Sequence, residues 1–87
     1  MRSDKAWFVY LVECADNALY CGVTTDVDNR LSVHNLGKGA KYTRSRTPVK
    51  LVAASCALSR SEALRLEYRI KRMPSGRKRA GLDCKKT

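Results

Sequence analysis

The sequence predicts a small α/β (α+β) domain, in which an antiparallel sheet is flanked by helices in the order β-β-α-β-α. An apolar and aromatic run at 7–12 is followed by turn residues and a second strand-like run at 19–24. A helical stripe of apolar residues then runs from Ala63 to Met73. At 87 residues the chain can build one modest core, so we expect a single domain over 1–87.

The first two strands should form a hairpin. The run at 7–12 is apolar at every position, which is typical of a strand buried on both faces. The segment 16–18 has turn chemistry, because Asn17 can adopt the left-handed conformation. Gly22, within the second strand at 19–24, should leave a bare patch that a ligand or another backbone could approach.

The register of this hairpin decides where two phenols point. A three-residue loop at 16–18 places Tyr20 opposite Cys14 and Tyr10 opposite Thr24. Both phenols then face one side of the sheet, whereas a slip of one residue would separate them.

The first helix should begin at Thr25, with Asp28 three residues later, and end at Gly37. His34 lies on its apolar stripe, and Arg30 lies four residues earlier on the same side.

The rest of the chain supplies a loop, a strand and a stronger helix. The Gly-, Lys- and Arg-rich stretch at 37–48 should be a solvated loop, and 49–56 is the third strand candidate. Ser59 and Glu62 form a capping box at the start of the second helix, which Pro74 ends.

The charge distribution points to a polyanionic partner. The net charge is +10, and the stretches 38–50 and 59–87 hold five and ten basic residues against none and three acidic ones. Nucleic acid is the simplest such partner, because neutralised phosphates release their counterions. An anionic membrane surface is the competing interpretation, but no helix pairs a basic face with a bulky aromatic one. No apolar run approaches the roughly 20 residues that span a bilayer.

The four cysteines indicate a reducing compartment. Cys14, Cys21, Cys56 and Cys84 show none of the close spacings of a zinc site or a redox dithiol. The first three fall in or beside strand-like runs, so we expect free core thiols. The start of the chain does not resemble a signal peptide, and a cytoplasmic location is expected.

Five polar residues form the candidate site: Tyr10, Tyr20, Arg30, His34 and Glu67. A guanidinium fits phosphate, imidazole relays protons near neutral pH, and a phenol can orient or deprotonate water if nearby cations lower its pKa. Magnesium takes as few as one or two carboxylates together with waters and phosphate oxygens, so Glu67 alone can suffice. The structural alternatives are a core histidine, ordinary strand tyrosines, and a half-buried Glu67 neutralised by Arg30 or Lys71.

These residues resemble the GIY-YIG nuclease superfamily, in particular small stand-alone bacterial members of the UPF0213 type. The resemblance covers roughly residues 7–73, followed by a basic segment at 75–87 that can hold a short helix. The matching positions are Phe8-Val9-Tyr10, Tyr20-Cys21-Gly22, Arg30, His34, Lys41-Tyr42-Thr43-Arg44, Pro48, Ser59-Arg60-Ser61-Glu62-Ala63, Glu67 and Lys71.

The resemblance implies a three-stranded antiparallel sheet and hydrolysis of DNA phosphodiesters with one Mg²⁺ or Mn²⁺. It also implies a role for each residue. Glu67 would hold the metal, and Tyr10 or Tyr20 would act on the attacking water. Arg30 would stabilise charge on the phosphate, while His34 would assist proton transfer or position a tyrosine.

The sequence departs from the family pattern in two ways. Phe8 and Val9 replace the glycine and isoleucine of the first motif, which serve packing. The asparagine that many members carry after the metal glutamate is missing, since asparagine occurs only at 17, 29 and 35. With no fused DNA-binding domain expected, binding falls to the basic loop and tail. The predicted contacts are Lys38, Lys41, Tyr42, Arg44, Arg46 and Lys71.

The resulting hypothesis is a metal-dependent endonuclease that acts on DNA, with RNA not excluded. It would be structure-selective, linked to DNA repair or processing, and a monomer or weak dimer with room for a protein partner. The alternative is a nucleic-acid-binding module of the same fold with weak or lost turnover. A structural protein of a ribonucleoprotein particle would explain the charge but not the placement of Glu67 beside an apolar stripe.

Overall fold

Three strands and three helices make up the described part of the chain, which comprises residues 6–39, 43 and 46–82 of a computed structural model. The elements are β1 (Phe8–Glu13), β2 (Leu19–Thr24), α1 (Val27–Asn35), β3 (Lys50–Ala54), α2 (Arg60–Lys71) and α3 (Ser75–Gly81). This confirms the predicted α/β fold and its order, with the short basic helix α3 added at the end. Within these ranges no helix is long and apolar enough to cross a membrane.

The three strands form one antiparallel sheet in the order β2-β1-β3. Because β1 is central, its side chains are covered on both faces, as its unbroken apolar run predicts. Val9 and Leu11 are buried on one face, and Tyr10 and Val12 on the other. The observed third strand, Lys50–Ala54, is shorter than the predicted 49–56. Beyond it, Leu58 pairs with Trp7, the residue just before β1, so the contact between the two segments continues.

The hairpin register differs from the prediction by two residues. Tyr10 lies opposite Gly22, not Thr24, and Tyr20 lies opposite Val12, not Cys14. The loop therefore starts one residue earlier, at 15–17. The reason is local. The Asn17 N–H donates to the Cys14 carbonyl at 2.9 Å, and Asn17 itself takes the left-handed conformation with φ of 69°. A shift of two preserves the face, so the two phenols still lie on the same side.

The cap of the second helix lies where the sequence predicts it, and the cap of the first helix lies one residue later. Helix α1 is capped by Asp26, not Thr25, because the Asp26 carboxylate accepts the Asn29 N–H at 3.0 Å. The capping box of α2 is confirmed. The Glu62 N–H donates to the Ser59 hydroxyl at 3.1 Å, and the Ser59 N–H donates to the Glu62 carboxylate at 2.9 Å.

Each face of the sheet carries its own apolar layer. Helix α2 packs on the face of Leu11 through Ala63 and Ile70, and Leu82 after α3 closes the same cluster. Val27 and Leu31 of α1 pack on the opposite face. The two layers place α1 and α2 on opposite sides of a single sheet.

Two expectations about exposure are wrong. The stretch 37–48 is not wholly solvated, since Gly39 and Thr43 are buried within it. Both pack against the first helix, which draws this part of the loop inward. Cys56 is exposed rather than a core thiol, whereas Cys14 and Cys21 are buried and free as predicted. Cys84 lies outside the described residues.

Candidate functional site

Two tyrosines and the single histidine of the chain form the centre of the candidate site. Tyr10 on β1 and Tyr20 on β2 have ring centroids 6.4 Å apart. The His34 ring, reaching down from α1, lies 5.8 Å from Tyr10 and 5.5 Å from Tyr20, edge-on to both. The three rings therefore form one cluster on the α1 face of the sheet.

His34 is fully buried and hydrogen-bonded at both ring nitrogens. Its Nε2 lies 2.9 Å from the Tyr10 hydroxyl, and its Nδ1 lies 2.7 Å from the Thr43 hydroxyl. Burial, and secondarily the Arg30 charge, hold the pKa of His34 below its ordinary value. The imidazole is therefore neutral at pH 7, with one nitrogen donating and the other accepting.

Arg30 is half-buried on α1, four residues before His34. Its positive charge lies near the Tyr10 hydroxyl, and near enough to His34 to disfavour imidazolium. Arg30 and His34 therefore lie on the same side of α1, as their four-residue spacing predicts. Arg30 thus brings a positive charge to the phenol cluster.

The environment of Tyr10 does not favour a role as base, because that role needs nearby cations to lower the pKa of the phenol. Burial instead raises the pKa of Tyr10 above its ordinary value, and the nearby Arg30 guanidinium opposes this only in part. Tyr10 is 2% exposed, whereas Tyr20 is only half-buried. The two phenols therefore have different environments, and Tyr10 keeps its proton at neutral pH.

The patch left bare by Gly22 is occupied by the protein itself. A Cβ at Gly22 would lie 2.5 Å from the Tyr10 oxygen and 2.7 Å from its Cζ. Because Tyr10 and Gly22 are cross-strand partners, the phenol lies across the glycine backbone. Here glycine is required for space rather than for ligand access.

Glu67 lies in the other layer of the fold from the three rings. It is on α2, near Cys21, with its side chain 20% exposed. Its carboxylate pairs with Lys71 at 3.3 Å, and the Lys71 ammonium lies 5.9 Å from the centroid of the Tyr20 ring. Lys71 thus spans the edge strand β2 and connects Glu67 with Tyr20. The sequence offered Arg30 or Lys71 as the residue that neutralises Glu67, and the ion pair in the structure is with Lys71.

The predicted nucleic-acid contacts are only partly described. Lys38 is exposed just after α1, and Lys71 lies beside Tyr20. Arg46 pairs with Asp16 at 3.2 Å, across the hairpin loop. The remaining predicted contacts, Lys41, Tyr42 and Arg44, lie outside the described residues.

Sequence reasoning missed Thr43 and Gly39 as parts of the site. A Cβ at Gly39 would overlap the imidazole of His34, so the backbone packs directly on the ring. Thr43 was noted only as part of a basic segment. The available signal was its place in the tetrapeptide 41–44, which the family resemblance had singled out.

The donor set of the site suits one hard cation held by a single carboxylate. Among the described residues, no group of three or more His, Cys, Asp or Glu side chains could enclose a metal. Glu67 is partly exposed, and a carboxylate oxygen is the donor that magnesium prefers. Waters and phosphate oxygens commonly complete such a coordination shell.

Comparison with known proteins shows which family this chain resembles. The GIY-YIG catalytic domain matches residues 6–79. A UPF0213 protein of Nitratidesulfovibrio vulgaris is 51% identical over 81 residues, covering 93% of this chain and 74% of the relative. The UPF0213 protein H16_B0156 of Cupriavidus necator is 49% identical over 80 residues, covering 92% of this chain and 87% of the relative.

Two solved structures resemble the fold. The solution structure of the UPF0213 protein BH0048 from Bacillus halodurans has a TM-score of 0.51 at 49% identity, covering 84% of this chain and 78% of that one. The solution structure of EF2693 from E. faecalis has a TM-score of 0.60 at 35% identity, covering 92% of this chain and 85% of that one.

Proposed function

Because the chain belongs to the GIY-YIG catalytic domain family, whose activity is that of a nuclease, we propose that the protein is a metal-dependent endonuclease hydrolysing DNA phosphodiester bonds. The observation that carries this proposal is the packing of Tyr10, Tyr20 and His34 against one another, with Arg30 beside them. This arrangement combines a phosphate-binding cation with phenols that can handle water.

Tyr20 is the phenol that we assign to the attacking water. It is half-buried at the edge strand, so solvent and substrate can reach it. Tyr10 is buried, retains its proton and is engaged by His34, which supports a positioning role. His34 is fully buried as well, and the same argument makes it a positioning residue rather than a proton relay to substrate.

Arg30 would bind the phosphate and stabilise the charge that develops during displacement. A guanidinium matches the forked arrangement of phosphate oxygens and keeps its charge at any working pH. Its charge already lies beside the Tyr10 hydroxyl before substrate arrives. A charge placed in advance favours the transition state, because no reorganisation is needed during the reaction.

Glu67 would hold the metal, Mg²⁺ or Mn²⁺, together with phosphate oxygens and waters. When bound, such an ion supplies electrostatic stabilisation of the negative charge on the reacting phosphate. Lys71, which pairs with Glu67, lies at the same edge and would contact a neighbouring phosphate.

Nucleic-acid binding would use the basic residues around this edge. The net charge of +10 and the exposed Lys38 support a polyanionic substrate. We expect the logarithm of the affinity for duplex DNA to fall with the logarithm of salt by about 0.9 per neutralised phosphate. Replacing Lys41, Arg44 and Arg46 by Ala should flatten that slope, and an unchanged slope would place the DNA elsewhere.

The cellular setting remains part of the proposal. Buried thiols at Cys14 and Cys21 support a reducing compartment such as the cytoplasm. A role in DNA repair and a monomeric or weakly dimeric state also belong to the proposal. Selectivity for branched DNA is a further expectation, and the assay below addresses it.

The decisive experiment compares Glu67→Gln with wild type on plasmid, branched DNA and RNA, with magnesium, manganese or chelator. The amide keeps size and polarity but removes the charge that would hold the metal, so cleavage should vanish while binding persists or tightens. Glu13→Gln, the same change at the end of β1 outside the cluster, is the matched control and should cleave normally.

Each outcome has a clear meaning. Full cleavage by Glu67→Gln would end the single-carboxylate mechanism. If wild-type protein binds nucleic acid but cuts none of the substrates with either metal, the enzyme proposal fails, and the nucleic-acid-binding module takes its place.

A further inference from the structure

We propose that Thr43 is a positioning residue of the site. Its hydroxyl, bonded to His34, would fix the imidazole in the Nδ1–H tautomer, so that Nε2 accepts the Tyr10 proton. The catalytic part of this inference rests on the proposed nuclease function, whereas the tautomer is a property of the folded protein alone.

The geometry places Thr43 at one end of a buried chain of hydrogen bonds. Thr43 is fully buried, and its hydroxyl lies 2.7 Å from Nδ1 of His34. At the other end of the ring, Nε2 lies 2.9 Å from the Tyr10 hydroxyl. A neutral imidazole carries one donor and one acceptor, so the bond at one nitrogen determines the bond at the other.

The Tyr10 phenol gives this chain its direction. A phenol is more acidic than the aliphatic hydroxyl of Thr43, so of the two hydroxyls bonded to the ring Tyr10 is the better donor. The positive charge of Arg30 near the phenol oxygen adds to this, because it turns the phenol proton away from the guanidinium. The phenol proton is then directed at Nε2 of His34. With Nε2 accepting, Nδ1 carries the hydrogen and donates it to the Thr43 oxygen.

Two described residues beyond α1 lie against the ring of His34. The Thr43 carbonyl accepts the Arg46 N–H at 3.0 Å, which fixes the backbone at Thr43. Gly39 lies on the imidazole at a distance that a Cβ would not allow. The ring is fully buried, and the Thr43 hydroxyl satisfies its Nδ1.

The consequence reaches the phosphate-binding cation. If the imidazole turned to the other tautomer, Nε2–H would donate to the Tyr10 oxygen, and the phenol proton would turn toward the Arg30 guanidinium. Arg30 would then face the positive end of the O–H dipole and would be held less firmly in place for substrate. Thr43 would thereby act on the reaction without touching the substrate.

The tautomer can be read directly, because His34 is the single histidine of the chain. Nitrogen-15 NMR of histidine-labelled protein at pH 7.5 should show a protonated Nδ1 and an unprotonated Nε2. Thr43→Val removes only the hydroxyl at nearly constant volume and should abolish this preference. Thr43→Ser retains the hydroxyl and should restore it. Thr25→Val, the same change at the end of the hairpin, should leave the spectrum unaltered.

Cleavage provides the second readout. At saturating protein, Thr43→Val should lower the single-turnover rate by about 10- to 100-fold, the range typical of losing a group that orients an imidazole. DNA affinity should stay near that of wild type, and Thr43→Ser should recover most of the rate.

Two results would overturn the proposal. A wild-type spectrum with the hydrogen on Nε2 contradicts the assigned direction, whether or not Thr43→Val folds. An unchanged rate in a folded Thr43→Val protein contradicts the positioning role. If wild type cleaves nothing, the nuclease function has failed, and the spectrum still decides the tautomer.

Discussion

Removing the Tyr10 hydroxyl should destabilise the fold far more than the same change at an exposed tyrosine. In Tyr10→Phe the buried Nε2 of His34 loses its partner at 2.9 Å, and the Arg30 charge loses the polar group beside it. A buried polar group left without a partner costs about 1–3 kcal/mol. For a domain of this size each kcal/mol lowers Tm by about 4–8 °C, so a fall of roughly 5–20 °C is expected.

Tyr68→Phe is the matched control for this measurement. Tyr68 is 63% exposed, and its hydroxyl accepts a hydrogen bond from Arg72 at 3.1 Å on the surface of α2. Water can replace that bond, so the change should stay within about 0.5 kcal/mol. The assay is thermal and urea unfolding followed by circular dichroism. If Tyr10→Phe shifts no more than Tyr68→Phe, the buried chain of hydrogen bonds does not hold His34 as described.

Three further results are expected. Gly22→Ala should cost about 1–3 kcal/mol in urea unfolding, because its Cβ would displace the Tyr10 phenol; a wild-type midpoint would contradict that packing. Since the folded-state pKa of His34 lies below its ordinary value of about 6.5, stability should be complete above that pH and should fall as pH drops through the window below it. The urea midpoint between pH 7.5 and 5 tests this, and the slope should flatten in His34→Phe. Arg30→Ala should lower the saturated cleavage rate by about 100-fold or more with a modest loss of binding; weaker binding at an unchanged rate would reduce Arg30 to a ground-state contact.

The sequence was most informative where the structure is set by neighbouring residues. The capping box at Ser59 and Glu62 depends on a three-residue spacing, and it was located correctly. The hairpin was found, but its loop was placed one residue late. Asn17 suits the left-handed position anywhere in a short loop, so only the bond to Cys14 decides the register.

The parts of the site that were missed depend on contacts distant in the chain. The bond between Thr43 and His34 joins residues nine positions apart, and no local pattern specifies it. The raised pKa of Tyr10 likewise follows from burial rather than from sequence neighbours. By contrast, the clustering of Arg30 with His34 follows from helical spacing and was predictable. The single-domain extent over 1–87 stays a prediction.

The position of β2 at the edge of the sheet limits how this protein can associate with others. Edge strands invite a strand from another chain, and a sheet of three strands has two such edges. At β2 the Lys71 side chain already crosses from Glu67 to Tyr20. An added strand there would displace Lys71. If the protein is the nuclease proposed above, that strand would also separate the site from nucleic acid, so assembly through β2 would inhibit the protein, whereas growth of the sheet along β3 would not.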